Sequence, residues 1–434
     1  MKRKNCFRFL AALILLIFTA VIALAQSASA PSNPLAEMTA DDLVKRAIEQ
    51  NGELQAARQM IAEARGRWRQ AGLKANPMLE TSGTQAVTSP DNNQMIGIEL
   101  PLELKGRRQA RVDVAAREIE MREAEVRDFE RRLIAEARMK YAEAIAAARN
   151  LKLAEDQLKL ARESHRLTVA RVDAGRSAPL EQNLLFVEVS RVEAMRIGTE
   201  SRAEVALLEL KKIIGMSPEE ALLLRDEFAA VQQPLAQSEV ISQTLLKRPD
   251  LVAARAAESL AVAQLEQACV EGRVDASIFA NYARMSFGYG VRGFNDAGAL
   301  APVTGVFHNL TFGIKLALPT RNKNQGAIEA AAATIEAARL RREFAEKVAR
   351  NEVVAAYLRF NRAGQAMNVY SENVLKNAAR NLDVIRQAYE LGQKTVLDYI
   401  AEQRRYVEIE TGFTELLKEY FDARVEIERA TAFR

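Results

Sequence analysis

The sequence predicts a mostly helical α+β membrane protein, with two very long helical hairpins standing on a four-stranded sheet and two internal repeats. Three observations carry that prediction. Two Ala-rich stretches, Lys105–Val172 and Gln325–Ala388, keep a helical pattern without a break and end at a glycine turn. Short runs that alternate apolar and polar residues precede each of them. The same landmarks also occur twice in the same order. "GELQAAR" at Gly52 answers "PDLVAAR" at Pro249, 197 residues on; Pro101 answers Pro319, 218 on; Gly175 answers Gly392, 217 on.

Taken in order, Lys2, Arg3, Lys4 and Arg8 precede the apolar run Leu10–Ala25, the pattern of a secretory signal peptide over residues 1–25. Ala23-Leu24-Ala25 is the better cleavage site; Ala28-Ser29-Ala30 also has the small-x-small form but leaves Pro31 first. The signal holds four of the 61 basic residues and no acid, so the mature chain is balanced at 57 of each sign. That balance gives no footprint for nucleic acid. One cysteine remains, Cys269, and two histidines, His165 and His308. No intramolecular disulfide can form, and the set is poor for zinc or copper. No later apolar stretch reaches the ~18 residues of a membrane helix, so a membrane role must use strands.

The first repeat covers 26–240 and the second 241–434, which carries about 21 extra residues ahead of its proline landmark. Thr39 with Asp42 signals an N-cap, and the helix is expected to run toward Leu73. "NPML" at Asn76 stops it, because a residue before proline leaves the α region. Ile96, Ile98 and Leu100 alternate with Gly97 and Glu99 as a strand. In the second half Leu310, Phe312, Ile314, Leu316 and Leu318 alternate with polar or small residues, as do Met285, Phe287 and Tyr289. Gly290–Gly305 is expected as the loop between them. The long helix after Lys105 shows a coiled-coil-like seam at Phe129, Leu133, Ala137, Tyr141, Ala144, Ala148 and Leu151. Leu184–Ile214 and Val396–Ala430 are the return helices.

Four strands cannot close a barrel, and an open sheet is not viable in a bilayer. Long helices with narrow apolar stripes also need neighbours. Together these demands predict a symmetric oligomer, with a shared membrane β-barrel at one end and a helical tube extending from it.

"NPML", "RPDLVAAR", "LPLELKGRR", "LPTRNKNQGAIEAA" and "YELGQKTVLDY", in that order, resemble the TolC-type outer-membrane efflux proteins over nearly all of the mature chain. The "LP…RN…QGAI" stretch looks most like the CzcC-like heavy-metal cation efflux branch. The resemblance implies a homotrimer with a twelve-stranded barrel in the outer-membrane lipid and a helical barrel in the periplasm. It also implies a periplasmic adaptor (a membrane fusion protein) and an inner-membrane efflux pump as partners. Gly175 with Glu181, and Tyr389, Gly392, Lys394 and Asp398, then fall at the periplasmic tips that form the entrance gate. Where relatives can place a further acid, this chain has Ala401. Thr395 with Asp398 also reads as a capping box, and both glycines as helix-end residues with positive φ.

No cofactor, resident metal or catalytic site is expected. Neither histidine has a partner at ligand spacing, and no nucleophile or phosphate-loop motif occurs. The expected function is a passive exit duct, for divalent heavy-metal cations. Multidrug efflux or type I protein secretion is the alternative cargo, and a pore-free periplasmic coiled-coil scaffold is the alternative class.

Overall fold

The computed structural model of the chain describes residues 37–89, 91–226, 228 and 243–431. The expected signal peptide and the boundary between the repeats lie outside the described residues. In chain order come α1 (Ala40–Gln50), α2 (Gly52–Ala71), β1 (Met78–Gln85), β2 (Asn92–Pro101), α3 (Arg107–Asp173) and α4 (Pro179–Ile213). There follow α5 (Pro249–Glu271), β3 (Asp275–Phe294), β4 (Leu300–Ala317), α6 (Gln325–Val369), a π turn at Tyr370–Val374, α7 (Leu375–Glu390) and α8 (Val396–Thr431).

The four strands form one antiparallel meander, β1-β2-β3-β4, with β1 and β4 at its free edges. Leu79, Ile98, Ala280 and Phe312 lie in one cross-strand row, and Leu100, Ile278 and Ile314 in the next. These rows share the outward face, where Phe312 is 76% and Ile314 67% exposed. The opposite, inner face is mixed, with Phe279, Met285 and Phe287 among its polar residues. There Glu99 accepts from Ser277 at 2.5 Å and pairs with Lys315 at 3.4 Å. A continuous apolar face of this kind suits a sheet that meets lipid on that side. Met285 and Phe287 alternate onto the inner face, opposite to Ala280 and Phe312. Gly313 on that face is required, because a Cβ there would stand 2.8 Å from the Phe279 ring.

The helices make two four-membered layers that share α3 and the helix formed by α6 and α7. Near the sheet α2, α3, α5 and α6 pack side by side; toward the far end the order is α4, α3, α8 and then α6 with α7. The 67 residues of α3 give it a length of about 100 Å. Between the layers α1 crosses the bundle and buries Leu43, Val44 and Ala47 against Leu133, Tyr141, Leu210 and Phe421.

Four expectations are corrected. The first helix is two, broken at Asn51, whose side chain caps α2 by accepting from Leu54 N–H at 2.9 Å and donates to Ile213 C=O at 2.9 Å. The expected loop Gly290–Gly305 is mostly strand: β3 and β4 extend to Phe294 and Leu300 across a bulge between Gly288 and Arg292. The expected unbroken helix Gln325–Ala388 contains the π turn, where Tyr370 stacks on Phe413 at 6.5 Å. The seam on α3 is wider than one stripe. Ala135, Ala142, Ile145 and Ala146 are buried with Leu133, Ala137, Tyr141 and Ala144, while Ala148 is exposed. At that height α1, α4 and α8 all reach α3, from different sides.

Candidate functional site at the hairpin tips

Each long hairpin turns at a glycine in the left-handed region, Gly175 at φ 68° and Gly392 at φ 75°. The hydrogen bonds of the two turns match. Ala174, Gly175 and Arg176 donate to the carbonyls of Ala170, Val172 and Arg171; Leu391, Gly392 and Gln393 donate to those of Gln387, Tyr389 and Ala388. This is the helix ending that a residue with positive φ makes possible. After the second turn Thr395 and Asp398 close a capping box. The Asp398 carboxylate accepts from Thr395 N–H at 3.0 Å and its hydroxyl at 2.9 Å, and Asp398 N–H donates back to the hydroxyl at 3.2 Å. The Thr395 N–H first, then its hydroxyl and the nearby Lys394 charge, hold the Asp398 carboxyl below its ordinary range.

The two tips are joined through Tyr389 and Tyr399. Their rings stack at 5.5 Å with only 3° between planes. Tyr389 bonds Thr168 of α3 at 3.2 Å, and the Arg171 guanidinium lies 5.8 Å from its ring centre. Tyr399 is buried, and burial pushes its phenol up. It accepts from Gln403 at 2.8 Å and lies 3.5 Å from the Ser164 hydroxyl. Leu185 of α4 closes the contact against Val396 and Ile400 of α8.

Behind the turns sits a charged joint. Glu188 of α4 has only 3% of its side chain exposed, and it takes Arg191 at 2.6 Å and Arg404 of α8 at 2.5 Å. Burial pushes its carboxyl up, but the hydrogen bonds from the two arginines outweigh that and hold it below the ordinary glutamate range. Arg404, in turn, is raised chiefly by its bond to Glu188.

Of the sequence-predicted tip residues, Tyr389 enters this network and both glycines make the turns. Glu181 lies in the first turn of α4 and Lys394 is exposed beside Asp398; neither has a side-chain hydrogen bond or ion pair among the described residues. Ala401 is exposed. Sequence reasoning missed Thr168, Glu188, Tyr399 and Arg404. Tyr399 stood inside the tip stretch. Glu188 has Arg191 three residues on, an ordinary helix pair, but the partners that join Thr168, Glu188 and Arg404 across the tips lie on the other hairpin.

Nothing at the tips pairs a nucleophile with a base, and the arrangement is a mechanical joint between helices. His165 lies 5.9 Å from the Phe186 ring, and His308 bonds Tyr282 on the sheet. Among the described residues no three His, Cys, Asp or Glu side chains are gathered to hold a metal ion, and Cys269 is free.

With the geometry in hand, the chain can be set beside known proteins. It is similar to the cobalt-zinc-cadmium resistance protein CzcC of Cupriavidus metallidurans, 24% identical over 405 residues that cover 92% of this chain and 91% of that protein. A 120-residue stretch, 27% of each chain, is 35% identical to the nickel-cobalt-cadmium resistance protein NccC of Alcaligenes xylosoxydans xylosoxydans. In fold it resembles the CmeC outer membrane channel of Campylobacter jejuni, with a TM-score of 0.75 at 14% identity over 90% of this chain and 85% of that one. The model of the outer membrane efflux proteins matches residues 43–216 and 240–432, both hairpins and the sheet included. With an outward apolar sheet at one end and long helices that stand in the periplasm at the other, the chain belongs to the outer membrane efflux protein family.

Proposed function

We propose that the chain is the outer-membrane exit duct of a tripartite efflux system for divalent heavy-metal cations. Three copies would join the free edges of β4 and β1 into one twelve-stranded barrel, continued by a helical tube. An inner-membrane pump would deliver cargo through a periplasmic adaptor that meets the tips. The observation that carries the metal reading is the likeness to CzcC over 92% of the chain. In this reading the duct is a passive conduit and the pump selects the cargo.

The matching hydrogen bonds at Gly175 and Gly392 support two repeats, 26–240 and 241–434, each contributing one tip. In this reading Glu181, Lys394 and Asp398 face neighbouring copies around the entrance, and Tyr389 anchors the tip. Opening separates the second hairpin from α3 and α4. Replacing Lys394 by alanine should raise the leak of the trimer in a planar bilayer; unchanged conductance removes Lys394 from the gate.

A deletion strain tests the cargo. Sensitivity to zinc, cobalt, cadmium or nickel alone is expected, with resistance restored by the intact gene. Sensitivity to dyes and antibiotics without metals would move the chain to multidrug export.

A further inference from the structure

The outward face of the sheet changes character at one row. Along β4 the residues Leu316, Ile314, Phe312 and Leu310 face outward, and their row partners on β3 end with Tyr282 opposite Leu310. From Leu318, just past β4, to Leu310 is about 27 Å of strand, which a tilt of ~40° reduces to roughly 20 Å of height, close to the apolar band of outer-membrane barrels. The next row away from the helices is Gln94, Arg284 and His308, paired directly across three strands.

That row is basic, and among the described strand residues no carboxylate shares its face. Glu80, Glu99 and Asp275 all alternate to the inner face, as their partners Gly97, Phe279 and Ala317 show. Arg284 is exposed, with no hydrogen bond, ion pair or ring contact among the described residues. His308 is exposed too, but held: Tyr282 Oη lies 2.6 Å from its Nδ1, and the rings stack at 6.0 Å. That bond occupies Nδ1 and leaves Nε2 facing away from the tyrosine. A free arginine fork, an imidazole and an amide thus stand side by side, ~5 Å apart across the strands, where the apolar band ends.

We infer that Gln94, Arg284 and His308 form a binding site for the phosphate of an anionic lipid of the outer leaflet. The inference rests on the channel reading, which puts this face against lipid. The acyl chains would lie along Leu310 and Phe312 while the headgroup phosphate meets the guanidinium, a geometry suited to bidentate charge-assisted bonds. A free anion in solution would gain only the second half of that contact.

The test uses the full-length trimer purified from outer membranes, with native mass spectrometry of bound lipid. Diphosphoryl lipid A, monophosphoryl lipid A and a neutral glycolipid of matched chain length are the probes. The wild type should hold the diphosphoryl form about tenfold more than the neutral one, the ratio one or two charged hydrogen bonds supply. The pair Arg284→Gln with His308→Gln should bring that ratio near one without changing trimer yield, and Arg284→Lys should keep part of it. Excess inorganic phosphate should leave the lipid bound. Equal retention of phosphorylated and neutral glycolipids by the wild type overturns the site, whatever the variants do. So does displacement of the lipid by inorganic phosphate. A chain that never reaches the outer-membrane fraction as a trimer would instead overturn the channel reading and take the site with it.

Discussion

At the scale of single residues, the joint behind the tips is the most exacting feature. Glu188 is an acid with 3% of its side chain exposed, and it is kept charged by Arg191 and Arg404. Replacing it by glutamine keeps the shape and removes the charge. Both arginines are 40% exposed or more, so screening limits the loss to about 1–2 kcal/mol. Hydrogen exchange around Tyr399–Arg404 should quicken roughly 5- to 30-fold in Glu188→Gln, the factor those energies imply. Because the folded carboxyl titrates below its ordinary value, its contribution is complete at neutral pH and is lost as pH falls below about 4.3. Once corrected for the intrinsic exchange rate at each pH, wild-type protection in acid should therefore fall to that of the variant at pH 7. Corrected protection that does not change with pH would mean that the pair does not hold the hairpins together. Thr39 with Asp42 and Thr395 with Asp398 were legible in the sequence, because a capping box needs only residues three apart. Glu188 and Arg404 are 216 residues apart, and only the packing of α4 on α8 brings them together.

At the scale of elements, what was legible followed local pattern. The 67-residue α3 and both glycine turns were readable because nothing in the sequence competes with the helix until a residue with positive φ is needed. The break at Asn51 was not, since the apolar pattern continues across it and the amide's second partner, Ile213 C=O, is tertiary. β1 was hidden for another reason: "MLETSGTQ" has no alternation, and it is held only by its ladder to β2. Gly290–Gly305 reads as loop by composition, yet cross-strand pairing through Arg292↔Pro302 and Phe294↔Leu300 holds most of it extended. The turns make a direct prediction. Gly392→Ala must place a Cβ at φ 75°, which costs about 1–2 kcal/mol. Nothing lies within 4 Å of that Cβ, so the cost is backbone strain alone. The melting temperature should fall, while Gly326→Ala, equally open but helical, should leave it unchanged or raise it.

At the scale of the molecule, the sheet is the part that, in the proposed trimer, a lone chain cannot complete. Its outward face is apolar, both edges are free, and the inner face carries the Glu99–Lys315 pair. Ile314→Arg places a charge in the middle of the outward band. A cost of ~2–4 kcal/mol per copy is expected near the bilayer midplane. The yield of heat-resistant trimer in the outer-membrane fraction should collapse, whereas Thr311→Arg on the inner face should be tolerated. Collapse with Thr311→Arg alone would mean that the assignment of the two faces is reversed, and equal yields that neither face is the one that meets lipid.

The free edges of β1 and β4 also bear on inheritance. In the proposed trimer, a barrel closed by three copies would accept whichever chains the cell makes, sound or damaged. A cell expressing equal amounts of wild-type chain and a chain with a defective tip would draw its trimers from one pool, and only about one in eight would be wholly wild type. A tip mutation should therefore behave as a dominant trait, masking a good copy of the gene. A mutation that spoils an edge strand should be recessive, because its product never enters the ring.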